Sequence, residues 1–320
     1  MRYSQTEIKK FIADNYGLPV KRMKRLPAGL MNLNYLIESG KNKYVFRINY
    51  LRSMEETAFT AEILEALAAR KFPSPRIVEA KNRKQILLIR NKPCLLYKYI
   101  KGNNQAEINK EILKEMGFLL GKMHKSLRNF KPTIKKRTWD PEELKKIVKQ
   151  SRRKMIKSKF KNAETLMDFM EAELEKFSFP ASLPKGITHQ DVKPENIVVK
   201  DYKIQGILDF DNAYRGVLLH DLTTPIIWTC FKDYKLDYRL LNSYLKGYEK
   251  SRKLSVLEKK YLLEGIKFRL AREAFIGPFA IYPYPEKSEK RSEYFRRLYR
   301  GFYLTTRFDF NKRLWKTRQQ

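Results

Sequence analysis

Strand-like and helix-like patterns occupy different parts of this 320-residue chain. Up to about residue 100, short runs of β-branched and aromatic residues alternate with turn residues and short helical patterns. After Gly102 long helical patterns dominate, and one strand-rich island at residues 187–210 interrupts them. This order predicts an α+β fold, with a small β-rich lobe at residues 1–100 and a larger helical lobe at residues 101–320.

Capping signals locate several helix boundaries. Ser4 begins a capping box ahead of an apolar stripe, so we expect the first helix to start there. Asp140 is followed by Pro141, a pair typical of the N-cap and first residue of a helix, and the helical pattern continues over residues 140–177. An aromatic- and proline-rich stretch at residues 277–285 predicts a break in the final helices.

The composition is strongly basic. Lys and Arg total 68 and Asp and Glu total 35, so the net charge is +33. Such an excess favours nucleotide phosphates, nucleic acid or an acidic membrane as partners, although the charge is diffuse enough to be an ordinary solvated surface. No apolar run is long enough to span a bilayer, and the N-terminus lacks an apolar signal core. We therefore expect a cytoplasmic protein that does not contact membranes; its oligomeric state is not predicted.

The most specific pattern lies at residues 186–211. His189, Asp191 and Asn196 precede one strand, and the next strand ends at Asp209. Phosphoryl transfer needs a carboxylate that orients and deprotonates the attacking hydroxyl, and oxygen ligands for Mg²⁺. The pattern therefore predicts Asp191 as the catalytic base and Asn196 and Asp209 as the metal ligands, with the three side chains close together.

Two other interpretations of this segment remain. Aspartate and asparagine near strands often occur only in turns. A hydrolytic metal site is the other alternative, since several possible ligands follow one another along the chain: His189, Asp191, His220 and Asp221.

The first third of the chain offers candidate nucleotide-binding residues. Residues 28–35, which include Asn32, lie between two strand-like runs, where a loop covering the nucleotide would lie. Arg47 ends the second run, and Glu62 lies in the helix that follows. A strand cation that binds the inner phosphates and is held by a helix carboxylate is a recurring arrangement in phosphoryl transfer. An exposed arginine and a solvated glutamate are the alternative interpretation.

Several motifs together resemble the aminoglycoside phosphotransferase and choline kinase superfamily over nearly the whole chain. The most specific is Asp209-Phe-Asp211 followed after a short loop by Asp221-Leu222, which distinguishes this superfamily from ordinary protein kinases. The nearest branch is that of the kinase-fold homoserine kinases. Other matching segments are the loop at residues 28–35, similar to GGxxNxxY, the helix and proline-rich turn at residues 58–78, the hinge strand at residues 93–102 and the Leu-His helix end at residues 119–124.

The resemblance implies a protein-kinase-like, two-lobed fold that binds ATP and Mg²⁺. It places adenine against the hinge backbone at Tyr97 and Tyr99, and it makes Asp221 an acceptor of catalytic-loop amide hydrogen bonds. His189 is expected to orient the catalytic loop through its ring and backbone. Lys193 departs from the superfamily pattern and is predicted to reach the γ-phosphate.

Further departures concern the acceptor. Gln190 stands where the superfamily usually has a small residue. Arg269 and Arg272 are candidates for binding an acidic group of the substrate, or alternatively face solvent or form ordinary salt bridges. His124 is expected to be buried at a helix end, and His220 to serve in packing.

Three functions stay open at this point. The first is a small-molecule kinase that phosphorylates a hydroxyl of homoserine or a similar amino alcohol. The second is a kinase of protein or another macromolecule, which the basic surface and the kinase-like sequence Lys193-Pro-Glu favour. The third is a catalytically silent RNA-binding or scaffold protein with a kinase-like fold, for which the intact Asp191, Asn196 and Asp209 are unfavourable.

Overall fold

The computed structural model describes residues 3–26, 32–104, 107–134, 140–157, 163–232 and 235–275, together with residues 296, 300, 301, 303, 304 and 306. Residues 28–31 of the predicted nucleotide loop and the predicted break at residues 277–285 lie outside these ranges. Within the ranges, no helix is both long and apolar enough to cross a bilayer.

Helices and strands are numbered in chain order. The helices are α1 Gln5–Tyr16, α2 Met54–Ala69, α3 Lys110–Ser126, α4 Pro141–Lys157, α5 Ala163–Glu175, α6 Leu218–Thr229, α7 Tyr238–Ser251, α8 Val256–Lys260 and α9 Leu262–Phe275. The strands are β1 Arg22–Arg25, β2 Leu33–Ser39, β3 Asn42–Ile48, β4 Ile77–Val78, β5 Leu87–Ile89, β6 Lys92–Lys98, β7 Lys185–Thr188, β8 Ile197–Lys200, β9 Lys203–Ile207, β10 Tyr214–Val217, β11 Phe231–Lys232 and β12 Lys235–Leu236.

The capping signals at Ser4 and Asp140 are confirmed. Ser4 caps α1 through a complete capping box, and Asp140 accepts the Glu143 amide at 2.9 Å at the start of α4. The pattern over residues 140–177 corresponds to two helices, α4 and α5, and the second begins at Ala163.

Chain contacts divide the protein into two units. The first comprises Met1–Gln105, Asn129–Lys136 and Asn196–Asn212, and the second comprises Ala106–Arg128, Arg137–Glu195 and Ala213–Gln320. The first unit thus takes in two segments from later in the chain, including the hairpin of β8 and β9. The assignment of nucleotide binding to residues 1–100, and of catalysis and acceptor binding to residues 101–320, stays a prediction.

The first unit contains an antiparallel sheet in the order β1-β2-β3-β6-β4, and β5 also pairs with β6. Ile8 and Ile12 of α1 are buried in one cluster with Phe46 and Ile48 of β3. Because side chains alternate along a strand, Arg47 between them points to the opposite face of the sheet. The packing of α1 thus determines which face of the sheet carries the predicted phosphate-binding cation.

In the second unit, α3 and α7 approach each other at backbone distance. A Cβ added at Gly117 of α3 would lie 2.1 Å from the Tyr244 carbonyl oxygen, and one at Gly247 of α7 would lie 1.9 Å from the Lys114 carbonyl oxygen. Only glycine fits at either position, since both neighbours are backbone atoms. This close packing brings His124, near the end of α3, within hydrogen-bonding distance of α7.

Candidate active site

Arg47 is the centre of a polar cluster in the first unit. Its Nη1 atom donates to Asp209 Oδ1 and lies near Asp211 Oδ2, each at 3.1 Å, and its Nε atom donates to Asn34 Oδ1 at 2.9 Å. Asn32 donates to Asp211 at 2.6 Å. Burial opposes the charge on Arg47, but Asp211 and Asp209 outweigh this and raise the pKa of Arg47 above its ordinary value. The cluster therefore holds a permanent cation beside two carboxylates.

The predicted ion pair between Arg47 and Glu62 is not formed. Glu62 accepts hydrogen bonds from the backbone amide of Thr133, at 2.9 Å, and from the Thr133 hydroxyl. The two carboxylates that follow β9 and the Asn34 side chain satisfy the Arg47 guanidinium instead. Sequence order suggested the helix carboxylate, and the actual anchor is the Asp-Phe-Asp segment.

Asp211 and Asn34 were missed as members of this site. The sequence marks the second acid of Asp209-Phe-Asp211 only as part of a motif, yet Asp211 is 5% exposed and contacts both Arg47 and Asn32. Asn34 lies directly opposite Arg47 in the pairing of β2 with β3, so its contact is a consequence of strand register. An acid pair two residues apart after a buried strand is the signal that would have identified Asp211.

The two predicted metal ligands flank one hairpin. Asn196 directly precedes β8, Leu208 directly follows β9, and the Leu208 amide donates to the Asn196 carbonyl oxygen at 2.7 Å. Asp209 comes next, with a positive φ of 65° that non-glycine residues adopt rarely. The hairpin thus brings the backbone of both residues to its open end.

The donors at this end of the hairpin fit Mg²⁺. Asp209 and Asp211 supply carboxylate oxygens, and the buried Asn32 Oδ1 atom accepts no hydrogen bond from the residues described. Mg²⁺ takes oxygen ligands and is usually held by one or two carboxylates together with substrate phosphates. Asn196 and Asp209 as the ligands stay a prediction.

The predicted hinge is partly occupied by the sheet. Tyr97 lies in β6 between β3 and β4, and the Tyr99 amide donates to the Lys43 carbonyl oxygen at 3.1 Å. The Tyr97 side chain is buried, which raises its pKa above the ordinary value for tyrosine. The adenine contacts of Tyr97 and Tyr99 stay a prediction.

In the second unit, Asp221 holds the loop that carries Asp191. Its carboxylate accepts the backbone amides of His189 and Gln190, each at 2.7 Å, and contacts His124 Nε2 at 2.9 Å. Burial opposes ionisation of Asp221, but these partners outweigh it and lower its pKa below the ordinary value. His189 Nδ1 accepts the Asp191 amide at 3.1 Å. The predicted orienting roles of Asp221 and His189 are confirmed.

The two predicted residues of this loop form an ion pair. Lys193 Nζ lies 3.1 Å from Asp191 Oδ1 and 5.9 Å from the centre of the Trp228 ring. Asp191 is 8% exposed and therefore mostly shielded from water. The pair fixes the carboxylate predicted to act as the base; the γ-phosphate contact of Lys193 stays a prediction.

The histidines of this unit are structural. His124 is buried and bonds Tyr248 at 2.7 Å, as expected of a helix-end residue. His220 packs against Phe179 and Phe268, with ring centres 4.8 and 4.5 Å away. Burial, followed by nearby arginine charges, lowers the pKa of His220 to about 3, so its ring is neutral. Among the described residues no group of three or more His, Cys, Asp or Glu side chains is arranged to bind a metal ion.

Replacing Asp221 by Asn is expected to destabilise the protein by about 3–5 kcal/mol, because one partner of a buried charged network is removed and backbone amides lose their carboxylate acceptor. Chemical denaturation measures the effect. Asp237→Asn is the matched control, since Asp237 also accepts two backbone amides but as the N-cap of α7, where asparagine serves equally well. Equal stability of the two variants would contradict the assigned role.

Residues 22–254 match the phosphotransferase enzyme family (APH). The chain is 28% identical over 266 residues to a homoserine kinase of Zymomonas mobilis. The match covers 78% of this chain and 80% of that protein. It is 26% identical over 237 residues to a homoserine kinase of Neisseria meningitidis. That match covers 73% of this chain and 75% of the other protein.

Solved structures show the same fold. An amicoumacin kinase in complex with AMP-PNP and Ca²⁺ superposes with a TM-score of 0.75 at 16% identity over 97% of both chains. A microcompartment-associated aminopropanol kinase superposes with a TM-score of 0.70 at 15% identity, over 94% of this chain and 98% of that one. The predicted α+β, protein-kinase-like fold class is confirmed.

Proposed function

Because the chain belongs to the phosphotransferase enzyme family, we propose that it transfers the γ-phosphate of ATP to the hydroxyl of a small amino alcohol, with homoserine as the first candidate acceptor. The observation that carries this proposal is the cluster of Arg47 with Asp209 and Asp211, which pairs a fixed cation with carboxylates suited to a metal–nucleotide complex. The homoserine kinase relatives and the aminopropanol kinase neighbour support the choice of acceptor class.

Arg47 is assigned to the nucleotide phosphates. Its Nη1 and Nε atoms are held by the Asp209, Asp211 and Asn34 side chains, while Nη2 donates to none of the residues described. A guanidinium fixed at two of its nitrogens loses little further freedom when the third binds a phosphate oxygen. Asn32, held by Asp211, is assigned to the same nucleotide side of the site.

Asn196 and Asp209 would hold Mg²⁺, which when bound neutralises charge on the terminal phosphates. Asp191 is assigned to align the acceptor hydroxyl and accept its proton. Lys193, paired with Asp191 at 3.1 Å, is assigned to the transferred phosphoryl group, where its ammonium offsets negative charge. Most of the rate acceleration would then come from positioning and charge neutralisation.

Release of ADP from ATP and Mg²⁺, measured in the presence of single acceptors, tests the proposal. We expect homoserine, or an amino alcohol of similar size, to give turnover well above the acceptor-free rate. Choline, methylthioribose, aminoglycosides and a generic protein substrate form the comparison set, and Asp191→Asn is the background control. Turnover only with the protein substrate would overturn the small-molecule assignment, and no turnover with any acceptor would overturn the kinase assignment.

A further inference from the structure

Gln190 adopts an unusual backbone conformation directly before Asp191. Its φ of 67° lies in the left-handed region that glycine adopts freely and other residues rarely occupy. The residue is 1% exposed, so no solvent contact explains the conformation. A non-glycine residue stays in this region only when its surroundings fix it there, and such positions cluster at functional sites.

Hydrogen bonds fix both peptide groups of Gln190. Its amide donates to Asp221, and its carbonyl oxygen accepts from Arg269 Nη2 at 2.5 Å. Its side-chain oxygen accepts from Arg269 Nη1 at 2.9 Å and also from Arg272 Nη1. Two guanidinium groups of α9 therefore share one side-chain acceptor that belongs to the catalytic loop.

The arrangement places two cations in the protein interior. Arg269 and Arg272 are 1% and 3% exposed, and Glu273 lies 2.7 Å from Arg269. Burial and the charge of Arg269 lower the pKa of Arg272, and His220 nearby is kept neutral. Adjacent buried cations are unfavourable for stability by themselves, because both lose hydration and repel each other. A role for them in shaping the loop accounts for their presence.

We propose that Arg269 and Arg272 are positioning residues for phosphoryl transfer, which act through Gln190 to hold the peptide that carries Asp191. This inference rests on the proposed function. Asp221 restrains the loop from its amide side, and Arg269 and Arg272 restrain it from its carbonyl and side-chain side. The two arginines bind the protein's own loop, so they are not assigned to an acidic group of the acceptor.

Three unbranched side chains of similar length test the role of the Gln190 acceptor oxygen. Gln190→Met removes the oxygen that both arginines bind, whereas Gln190→Glu keeps an acceptor oxygen there. Gln, Met and Glu are all unbranched at Cβ, so they bear a similar penalty in the left-handed conformation. Gln150→Met, at an exposed position of α4 in the same unit, controls for the substitution itself.

Amide hydrogen exchange of the peptide covering residues 187–193 and steady-state kinetics provide independent measurements. We expect Gln190→Met to exchange faster in this peptide and to lose about 10²-fold in kcat with the KM for ATP unchanged, the size of effect expected when a catalytic group is misplaced. Gln190→Glu should restore the slow exchange and most of kcat. Arg272→Gln removes one of the two side-chain donors and leaves both Arg269 bonds, so it should change exchange and kcat in the same direction as Gln190→Met but by less.

The outcomes separate this proposal from the proposed function. Unchanged exchange and unchanged kcat in Gln190→Met and Arg272→Gln would overturn the positioning role, as would a kcat loss that Gln190→Glu does not recover. If the unaltered protein phosphorylates none of the acceptors, the proposed function fails, and faster exchange in Gln190→Met alone would still support the restraint of the loop by the arginines.

Discussion

Replacing Asp191 by Asn is expected to lower kcat by about 10²–10⁴-fold, the range that a positioned general base contributes, with ATP affinity nearly unchanged. The amide keeps the size of the carboxylate but accepts no proton, and it cannot form the ion pair with Lys193. Fold and nucleotide binding should survive, because the loop is held by Asp221 through the His189 and Gln190 amides rather than through the Asp191 side chain.

The measurement is a pair of assays on the same preparations: acceptor-dependent ADP release and ATP binding by titration calorimetry. Asp168→Asn is the matched control, since it makes the same chemical change at an exposed ion pair with Arg152 in the second unit. That variant should keep the full kcat. Full activity of Asp191→Asn would show that Asp191 is not the catalytic base. Loss of ATP binding would show that the substitution acts through nucleotide binding instead.

Local structure is predicted well from the sequence, because contacts between residues close together in the chain determine it. The capping box at Ser4 and the cap at Asp140 follow from side chains that satisfy nearby amides. The order of strands and helices similarly gave the fold class. The role of Asp221 was also predicted, but through the motif resemblance, since nothing local in the sequence pairs it with His189 and Gln190.

Contacts between distant residues were predicted less well. Chain order alone predicts that Arg47 pairs with Glu62, yet Arg47 contacts Asp209 and Asp211, more than 160 residues later. Which carboxylate reaches a strand cation depends on how the β8–β9 hairpin lies within its unit, and no periodicity in the sequence encodes this. The binding of Arg269 to Gln190 was missed for the same reason, since 79 residues separate them.

Replacing Asp209 by Asn is expected to raise the Mg²⁺ concentration needed for half-maximal activity by at least about 10²-fold. Residues that only support metal ligands already affect metal affinity by about 10–100-fold, so a direct ligand should reach or exceed the upper end. The fold should be little affected, because the Asp209 side chain is 32% exposed and Arg47 keeps Asp211 and Asn34 as partners. Mg²⁺ titration of activity at saturating acceptor measures the effect, with Asp14→Asn, at an exposed helix pair of the same unit, as the control. An unchanged Mg²⁺ requirement would show that the metal is held elsewhere, and a loss of folding would show instead that Asp209 acts mainly as the counter-ion of Arg47.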